Sequence, residues 1–286
     1  MGIEIKTVAV AGAGTMGQGI AISCARAGYP VCLFDVNKQI CERALTLVEQ
    51  HLNHLVEKGK IDASTSAEIL KRITVSTDPT KLRADLVIEA IAEKMELKQD
   101  LFKMTEQING ENTILATNTS SLSVTKIASG LKHPERCAGL HFFNPAHIMK
   151  LVEVVAGKQT APDVLATLRE FAKKIGKMPV DAKDSSGFIV NRVARHFYVE
   201  SLLAVEKEWA THEVIDELMR ASGFKMGPFE LMDLIGIDVN YAVTESVYMG
   251  FNKAEKFKPS RVQKDKIDKG ELGRKSGKGF YAYSKK

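Results

Sequence analysis

The sequence predicts an α/β fold in which a doubly wound sheet is followed by an all-helical C-terminal domain. Short apolar segments rich in β-branched residues alternate with helical patterns over the first two-thirds of the chain. The runs VAVAG and LVIEA are almost continuously apolar, which is typical of strands buried on both faces of a parallel sheet. The remaining third shows helical periodicity and no convincing strand. We therefore expect a parallel sheet covered by helices on both sides, followed by a helical domain.

The individual elements follow from these periodicities. The predicted strands are 7–11, 31–35, 73–76, 86–89, 113–117, 138–143 and 151–155. The predicted helices are 16–27, 38–57, 97–108, 162–175 and, in the second domain, 188–207. The turn-rich stretch DAKDSSG at 181–187 changes the character of the chain, so we place the domain boundary there, with domains at 1–183 and 184–286.

Composition excludes several classes of protein. A net charge of +5 over 286 residues is too small and too dispersed to indicate a nucleic-acid partner. No apolar run approaches transmembrane length, so no membrane association is expected. The four cysteines form no C-x-x-C pair and no histidine cluster with metal-ligand spacing accompanies them, so we expect free thiols and no metal. The N-terminus lacks the layout of a secretory signal, and the expected location is cytoplasmic.

The first strand ends in the glycine-rich loop GAGTMG, which contains Gly12, Gly14 and Gly17. In a Rossmann-type fold, one glycine permits the tight turn, the second allows backbone to approach a pyrophosphate, and the third allows close helix–strand packing. The following helix, beginning with Thr15 and Met16, would present its N–H groups and positive dipole end to the phosphates. The motif is weak evidence alone, but here it follows a predicted strand and opens a predicted helix.

Asp35 ends the second predicted strand, VCLFD. An acidic residue about 20 residues beyond the glycine loop is typical of a side chain that binds the adenosine ribose hydroxyls. Because its carboxylate would repel a 2′-phosphate, the sequence favours NAD over NADP. The alternative is that Asp35 only caps the next helix.

His141 and Glu153 are the candidates for acid–base chemistry. His141 lies near the end of a predicted strand in GLHFFNP, where ligands sit in such sheets. Glu153 lies between valines in LVEVV, where an unpaired carboxylate would be costly. A neighbouring histidine would lower that cost, and the carboxylate would favour its charged form. Taken singly, His141 could be a satisfied core histidine and Glu153 could face outward on an edge strand.

Two polar segments could complete a pocket. NTSSLS places Ser120 just after the fifth predicted strand, and Ser123 is positioned to cap the next helix. Asn191 lies one turn into the predicted apolar helix of the second domain. If it is buried there, it needs a hydrogen-bond partner, for which a substrate oxygen is a candidate. If it is exposed, it has no special meaning.

Together the motifs resemble the L-3-hydroxyacyl-CoA dehydrogenase family, in particular its bacterial 3-hydroxybutyryl-CoA dehydrogenases. The resemblance covers essentially the whole chain. It rests on GAGTMGQGIA, VIEAIAE, TNTSSLS, GLHFFNPAHIMKLVEV, DSSGFIVNR, MGPFELMDLIG and GKGFYAY. It implies NAD-dependent interconversion of a short-chain L-3-hydroxyacyl-CoA (3-hydroxybutyryl-CoA) and the 3-ketoacyl-CoA (acetoacetyl-CoA).

The resemblance also implies roles for single residues. His141 matches the catalytic base and Glu153 its orienting partner, whereas Ser120 and Asn191 match residues that hydrogen-bond substrate oxygens. Lys58 matches a lysine near the CoA phosphates, but His51 stands where some relatives carry a CoA-contacting serine. The positions that match the nicotinamide side of the cofactor site are Glu93, Lys98, Ser120, Asn144 and Lys275.

Two alternatives remain open at this point. A related dehydrogenase could act on a free 3-hydroxy acid such as L-gulonate. The lysine-dependent β-hydroxyacid dehydrogenases are disfavoured by HFFNP with its downstream glutamate. The protein could also be a non-catalytic NAD-binding protein, although it retains both His141 and Glu153.

The helix predicted at 188–207 is apolar around much of its circumference. Such a helix needs cover on several sides, which a small domain does not provide by itself. The family resemblance also implies a dimer, so we expect a homodimer formed through the C-terminal domain.

Overall fold

A computed structural model describes residues 4–284 of the chain. The described residues fall into two compact units that divide between Asp184 and Ser185. The first unit contains one eight-stranded sheet with helices on its faces, and the second is helical, so the predicted fold class is confirmed. Within residues 4–284, no helix is both long enough and apolar enough to cross a membrane.

The sheet has the strand order β3-β2-β1-β4-β5-β6-β7-β8. Its strands are Val8–Ala11 (β1), Val31–Phe34 (β2), Ile73–Ser76 (β3), Leu86–Glu89 (β4), Ile114–Thr117 (β5), Cys137–Phe142 (β6), Leu151–Ala156 (β7) and Met178–Lys183 (β8). The strand order reverses between β1 and β4, and a ligand crevice is expected beyond the carboxyl ends of strands at such a point.

The prediction of an entirely parallel sheet is wrong. Strands β1 to β6 run parallel to one another, but β7 is antiparallel to β6. A parallel return requires a crossover of about a dozen or more residues, and the connecting segment 143–150 is too short for one. A second correction concerns residues 181–183, which were predicted to be turn but form the end of the edge strand β8. Their alternation of polar and apolar residues reflects an edge strand with one exposed face.

Six helices and two 3-10 turns pack on this sheet or connect its strands in the described part of the first unit. The helices are Thr15–Arg26 (α1), Lys38–Glu57 (α2), Ala63–Lys71 (α3), Met95–Asn109 (α4), Val124–Ala128 (α5) and Pro162–Lys174 (α6), and the 3-10 turns are Pro79–Leu82 and Pro134–Arg136. The strands β1, β4, β5 and β6 are buried along their whole length, as the apolar runs VAVAG and LVIEA predicted for β1 and β4. Ser123 caps α5 as expected, because its Oγ accepts a hydrogen bond from the backbone N–H of Lys126.

The second unit consists of Val190–Glu206 (α7), His212–Ala221 (α8), Pro228–Ile235 (α9), Ile237–Gly250 (α10) and Arg261–Asp268 (α11), with 3-10 turns at Glu255–Phe257 and Arg274–Ser276. Up to Ser284 it contains isolated bridges but no strand. Its core includes Leu202 of α7, Phe229 and Met232 of α9, and Ile237 of α10. Asn191 was predicted to lie one turn inside this helix, and that prediction is wrong. Helix α7 begins at Val190, so Asn191 is its second residue.

Two buried carboxylates hydrogen-bond to backbone within two sequence motifs of the second unit, MGPFELMDLIG and GKGFYAY. Asp216 accepts hydrogen bonds from the backbone N–H groups of Phe229 and Glu230, at the start of α9. Asp233 accepts hydrogen bonds from the backbone N–H groups of Phe280 and Tyr281 in the C-terminal segment. These motifs therefore hold the helical unit together, because each carboxylate satisfies buried donors that would otherwise be costly.

Candidate active site

The glycine-rich loop follows β1 at the point where the strand order reverses. Gly12 has a φ of +107°, and a Cβ at this position would lie 2.4 Å from the carbonyl oxygen of Ala90. A Cβ at Gly17 would lie 1.7 Å from the carbonyl oxygen of Gly12. Neither position can therefore accept a side chain without moving the backbone, and the two glycines bring α1 close against the end of β1.

Gly14 has a different environment. It is the N-cap of α1, and a Cβ built on it would meet no atom within 4 Å. Space beside this glycine adjoins the first turn of α1, where Thr15 and Met16 begin the helix. The first N–H groups of a helix have no intrahelical acceptor and attract anions. This open surface fits the pyrophosphate of a dinucleotide, for which the loop glycines provide the close backbone approach.

Asp35 directly follows β2 and links the second strand to the glycine-rich loop. Its Oδ2 accepts a 3.0 Å hydrogen bond from the backbone N–H of Ala13, and its Oδ1 accepts one of 3.0 Å from Asn37. Asn37, and not Asp35, caps helix α2. The half-buried carboxylate is thus held at the end of β2 beside the loop, which is the position required for a ribose hydroxyl acceptor.

His141 and Glu153 form a buried pair. They are directly opposite each other in the antiparallel register of β6 and β7. The Nδ1 atom of His141 lies 2.8 Å from Oε2 of Glu153. The residues are 5% and 0% exposed, so water does not screen their interaction. The ring of Phe143 lies 4.5 Å from the imidazole, centroid to centroid, and packs against it.

This geometry defines how the imidazole can act. A carboxylate at Nδ1 favours the tautomer that carries its proton there, which assigns proton exchange with a substrate to Nε2. The same carboxylate stabilises the imidazolium that forms when Nε2 takes up a proton. His141 lies at the carboxyl end of β6, on the edge of the sheet where ligands bind in this architecture. The pair can therefore serve as a general base in one direction and a general acid in the other.

A second buried charge network lies at the ends of β4 and β5. The side chain of Lys98 on α4 is 1% exposed, and its Nζ lies 2.6 Å from Oε1 of Glu89 and 3.0 Å from Oε2 of Glu93. Glu89, the last residue of β4, also accepts a 2.7 Å hydrogen bond from the hydroxyl of Thr117. Burial raises the pKa of Glu89, and the Lys98 ammonium opposes this shift.

Glu93 extends this network to Ser120. Its Oε1 accepts hydrogen bonds from the hydroxyl of Thr119 (2.5 Å), the backbone N–H of Ser120 (3.0 Å) and the hydroxyl of Ser121 (3.3 Å). Burial tends to raise the pKa of Glu93, but the Lys98 ammonium and these hydrogen bonds outweigh it, and the pKa is below its ordinary value. Glu93 therefore stays ionised and holds the backbone of the TNTSSLS segment in place.

Residues 7–185 match the family model described as the NAD binding domain of 3-hydroxyacyl-CoA dehydrogenase. Residues 187–283 match the C-terminal domain of the same family. The chain belongs to the 3-hydroxyacyl-CoA dehydrogenase family. Its first unit is therefore an NAD-binding domain.

Individual relatives in this family support the assignment. The chain is 49% identical to 3-hydroxyadipyl-CoA dehydrogenase of Escherichia coli over 98% of its own length and 60% of that protein. It is 41% identical to 3-hydroxybutyryl-CoA dehydrogenase of Clostridioides difficile over 97% of its length and 99% of that protein. A crystal structure of 3-hydroxybutyryl-CoA dehydrogenase from E. coli superposes with a TM-score of 0.95 at 48% identity, covering 99% of this chain and 61% of that one. The chain thus spans about three-fifths of the length of this E. coli relative and of the chain in the E. coli crystal structure.

The remaining predicted 3-hydroxyacyl-CoA dehydrogenase site residues lie in several places. Asn144 follows β6 and is exposed, and Lys58 is the exposed C-cap residue of α2. In the second unit, Asn191 is half-buried at the start of α7. Lys275 there is exposed, and its Nζ lies 2.6 Å from the carboxylate of Asp238.

Two residues near the site were missed from the sequence. Glu89 carries the same signal as Glu153, a lone glutamate in an apolar strand (LVIEA), and that signal could have identified it. The second is Asn118, in the TNTSSLS segment. Its side-chain Oδ1 accepts a 2.8 Å hydrogen bond from the backbone N–H of Phe142, the residue after His141. This contact joins the segment after β5 to the end of β6, and no local sequence pattern predicts it.

Proposed function

We propose that this protein catalyses the NAD-dependent interconversion of a short-chain L-3-hydroxyacyl-CoA and the corresponding 3-ketoacyl-CoA, with 3-hydroxybutyryl-CoA and acetoacetyl-CoA as the C4 pair. The observation that carries the proposal is the buried contact between Nδ1 of His141 and the Glu153 carboxylate, within an NAD-binding domain of this family. The names of the relatives, which are dehydrogenases of 3-hydroxybutyryl-CoA and 3-hydroxyadipyl-CoA, support the class of substrate.

In the oxidative direction, Nε2 of His141 removes the proton of the substrate 3-hydroxyl. Glu153 stabilises the resulting imidazolium through Nδ1. A bound NAD would supply the acceptor for the hydride that leaves the carbon bearing this oxygen, and its reduced form would supply the hydride donor in the opposite direction. In the reducing direction the imidazolium returns the proton to the oxygen. Ser120 and Asn191 are proposed to hydrogen-bond substrate oxygens, which would stabilise negative charge that develops on them.

The cofactor is proposed to be held mainly by the first unit. Gly12, Gly14 and Gly17, with the first turn of α1 at Thr15 and Met16, fit the pyrophosphate, and Asp35 fits the adenosine ribose. Four further residues are proposed to line the nicotinamide side together with Ser120: Glu93, Lys98, Asn144 and Lys275. The hydrogen bond from Ser120 to Glu93 supports the place of Glu93 in this set. The ion pair between Lys98 and Glu93 supports the place of Lys98, because it holds the Glu93 carboxylate in position.

The partners are proposed to be an acyl-CoA and a second copy of this chain. Lys58 remains the candidate for contact with a CoA phosphate, because it is an exposed cation at the end of α2. The homodimer is proposed to form through the C-terminal domain, here 184–286. The support is a set of large apolar side chains that remain exposed on its helices, including Val193, Val214, Leu218, Val239 and Met249. The cytoplasmic location stays a prediction from the sequence.

The test is consumption of NADH in the presence of acetoacetyl-CoA, 3-ketoadipyl-CoA or free acetoacetate. We expect turnover of the CoA thioesters and none of the free acid. The two thioesters distinguish between the acyl groups in the names of the two relatives. Turnover of the free acid at a comparable kcat/KM would identify a dehydrogenase of free 3-hydroxy acids. Absence of turnover with all three, together with NADH binding, would indicate a non-catalytic NAD-binding protein.

A further inference from the structure

The edge of β6 that faces β5 loses its partner strand before β6 ends. The pairing of these two strands ends where Thr117 lies opposite Gly139, whereas β6 continues to Phe142 against β7 on its other edge. A backbone N–H beyond the end of the neighbouring strand needs another acceptor, because a buried donor without a partner is costly. Phe142 is 2% exposed, so its N–H falls under this requirement.

A side chain supplies the missing acceptor. Oδ1 of Asn118, the residue that follows β5, accepts a 2.8 Å hydrogen bond from the backbone N–H of Phe142. An N–H group can only donate, so the atom that meets it has to be the carbonyl oxygen of the amide and not Nδ2. Asn118 therefore extends the connection between β5 and β6 beyond the last strand residue, by means of its side chain.

The main chain of Asn118 is itself held in place. Its N–H donates a 2.8 Å hydrogen bond to the carbonyl oxygen of Glu89, the last residue of β4. The hydroxyl of Thr117, on one side of Asn118, donates to the Glu89 carboxylate at 2.7 Å. On the other side, the N–H of Thr119 donates to the Thr117 hydroxyl at 3.2 Å. The Asn118 amide is thus a fixed acceptor, and not part of a loop that would follow Phe142 if that residue moved.

The place of this hydrogen bond in the chain links it to His141. The N–H of Phe142 and the carbonyl of His141 belong to one planar peptide group. A hydrogen bond that fixes this plane also fixes ψ of His141, and with it the direction in which the side chain leaves the strand. From the side of β7, Glu153 holds the imidazole through Nδ1 at 2.8 Å. The ring is thus held by Glu153, and the backbone that carries the ring is held by Asn118.

We propose that Asn118 is a positioning residue for the reaction, which accepts the N–H of Phe142 and thereby holds His141 with Nε2 aimed at the substrate hydroxyl. This inference rests on the proposed function, in which Nε2 exchanges the substrate proton. A misplacement of about 1 Å in a reacting group can lower a rate about 10²-fold. Loss of the Asn118 acceptor should therefore lower kcat and leave KM unchanged, because the role of Asn118 is to orient the base and not to bind a ligand.

The simpler explanation is that Asn118 only satisfies a buried donor and adds to stability. Asn109 is the matched control for this explanation. It is also half-buried, and its Oδ1 accepts a 2.9 Å hydrogen bond from the backbone N–H of Ala84. Ala84 lies just before β4, at the amino ends of the parallel strands, whereas His141 lies at the carboxyl end of β6. If contacts of this kind matter only to folding, Asn109→Ala and Asn118→Ala should both lower stability and leave kcat unchanged.

The first experiment measures kcat and KM with acetoacetyl-CoA and NADH, together with urea unfolding, in three variants. Asn118→Ala should lower kcat by about 10- to 100-fold, with both KM values unchanged. Asn118→Asp keeps an acceptor oxygen at the same place and lacks only the Nδ2 donor, so it should restore most of kcat. Asn109→Ala should lower the free energy of unfolding without changing kcat. The proposal is overturned if Asn118→Ala keeps its kcat, or if Asn118→Asp is as impaired as Asn118→Ala.

The second experiment determines whether Asn118 acts through His141. Asn118→Ala is combined with His141→Gln, and oxidation of NADH is followed in a single turnover at high enzyme concentration. Absence of a further loss in the double variant supports positioning through the imidazole, as expected for residues that act as one unit. Losses that multiply would show that Asn118 acts elsewhere, and they refute the proposal.

Two further outcomes are covered by the same measurements. Should Asn118→Ala fail to fold, Asn118→Ser replaces it with the same expected loss of kcat, because the serine hydroxyl is one bond too short to take the place of Oδ1. Failure of the proposed function is recognised separately, because the unaltered protein would then not turn over acetoacetyl-CoA. Normal turnover by the unaltered protein and by Asn118→Ala refutes the positioning role alone.

Discussion

His141 and Glu153 are cross-strand partners, and the antiparallel register of β6 and β7 places Nδ1 of the histidine 2.8 Å from the carboxylate. Neither side chain has to reach along its strand to make this contact. Residues directly opposite each other in an antiparallel pair have neighbouring Cβ atoms on the same face of the sheet. The pair is thus a property of the strand pairing, and its chemistry follows from its burial.

The first prediction concerns this pair. His141→Gln should lower kcat for acetoacetyl-CoA by about 10²–10⁴-fold, because it removes the general acid–base contribution. Glu153→Gln should also lower kcat, because the ring loses its orienting charge. The double variant should be impaired far less than the product of the single effects, as residues that act as one unit are not additive. NADH affinity, measured by fluorescence titration, serves as the control and should survive. Effects on kcat that simply multiply would show that the two residues act independently.

The second prediction concerns the choice of cofactor. Asp35→Ala should narrow the preference of kcat/KM for NADH over NADPH, because a carboxylate no longer repels the 2′-phosphate. It should also weaken NADH binding, since the backbone N–H of Ala13 in the glycine-rich loop loses its acceptor. Asp62→Ala is the control, because Asp62 caps α3 outside the loop and should affect only stability. Equal efficiency with both cofactors in the unaltered protein would contradict the assignment.

The third prediction concerns CoA binding at α2. Lys58→Ala should raise KM for acetoacetyl-CoA and leave KM for NADH unchanged, because the lysine is proposed to meet a CoA phosphate. Lys60→Ala, which removes an equally exposed lysine two residues later, is the matched control. If both variants leave KM for acetoacetyl-CoA unaltered, Lys58 does not belong to the binding site.

The fourth prediction concerns the buried Lys98 network. Lys98→Met removes the ammonium that Glu89 and Glu93 share, and breaking a buried pair in this way costs about 3–5 kcal/mol of unfolding free energy. Burial already raises the pKa of Glu89 above 4.5, and the variant should raise it further. A carboxyl whose pKa is higher in the folded state binds its proton more tightly there than in the unfolded chain. The folded protein therefore loses stability as the pH rises above the pKa that the carboxyl has in the unfolded chain.

Urea unfolding at pH 5 and pH 8 measures this effect. We expect the deficit of Lys98→Met relative to the unaltered protein to be larger at pH 8. Lys103→Met, an exposed lysine on the same helix α4, should show a small deficit that does not change with pH. A Lys98→Met deficit that is equal at both pH values would exclude the proposed charge balance of Lys98 with Glu89 and Glu93.

The fifth prediction concerns assembly. The protein should be a dimer of the 31.5 kDa chain in light scattering at micromolar concentration, because large apolar side chains stay exposed on the helices of the second unit. Hydrogen exchange should be slower in these helices at high protein concentration than on dilution. A monomeric mass at micromolar concentration would contradict the dimer.

The cases of Glu89 and Glu153 show the limit of sequence interpretation. Both are single glutamates in apolar strands, LVIEA and LVEVV, and both have to be paired. Glu153 could be matched with a histidine nearby in the sequence. Glu89 finds its partners in Lys98 on α4 and Thr117 on β5, and the contact with Thr117 depends on the pairing of β4 with β5. Burial of a charge could be predicted from either strand, but the partners of Glu89 could not.

By itself, the sequence determined the approximate positions of seven strands and five helices, the glycine-rich loop, the fold class and the candidate acid–base residues, because each rests on periodicity or on a local motif. Only the tertiary structure decided that β7 runs antiparallel to β6 and that residues 181–183 form part of an edge strand. Strand direction and edge position depend on contacts between residues far apart in the chain. Local side-chain patterns carry little information about such contacts.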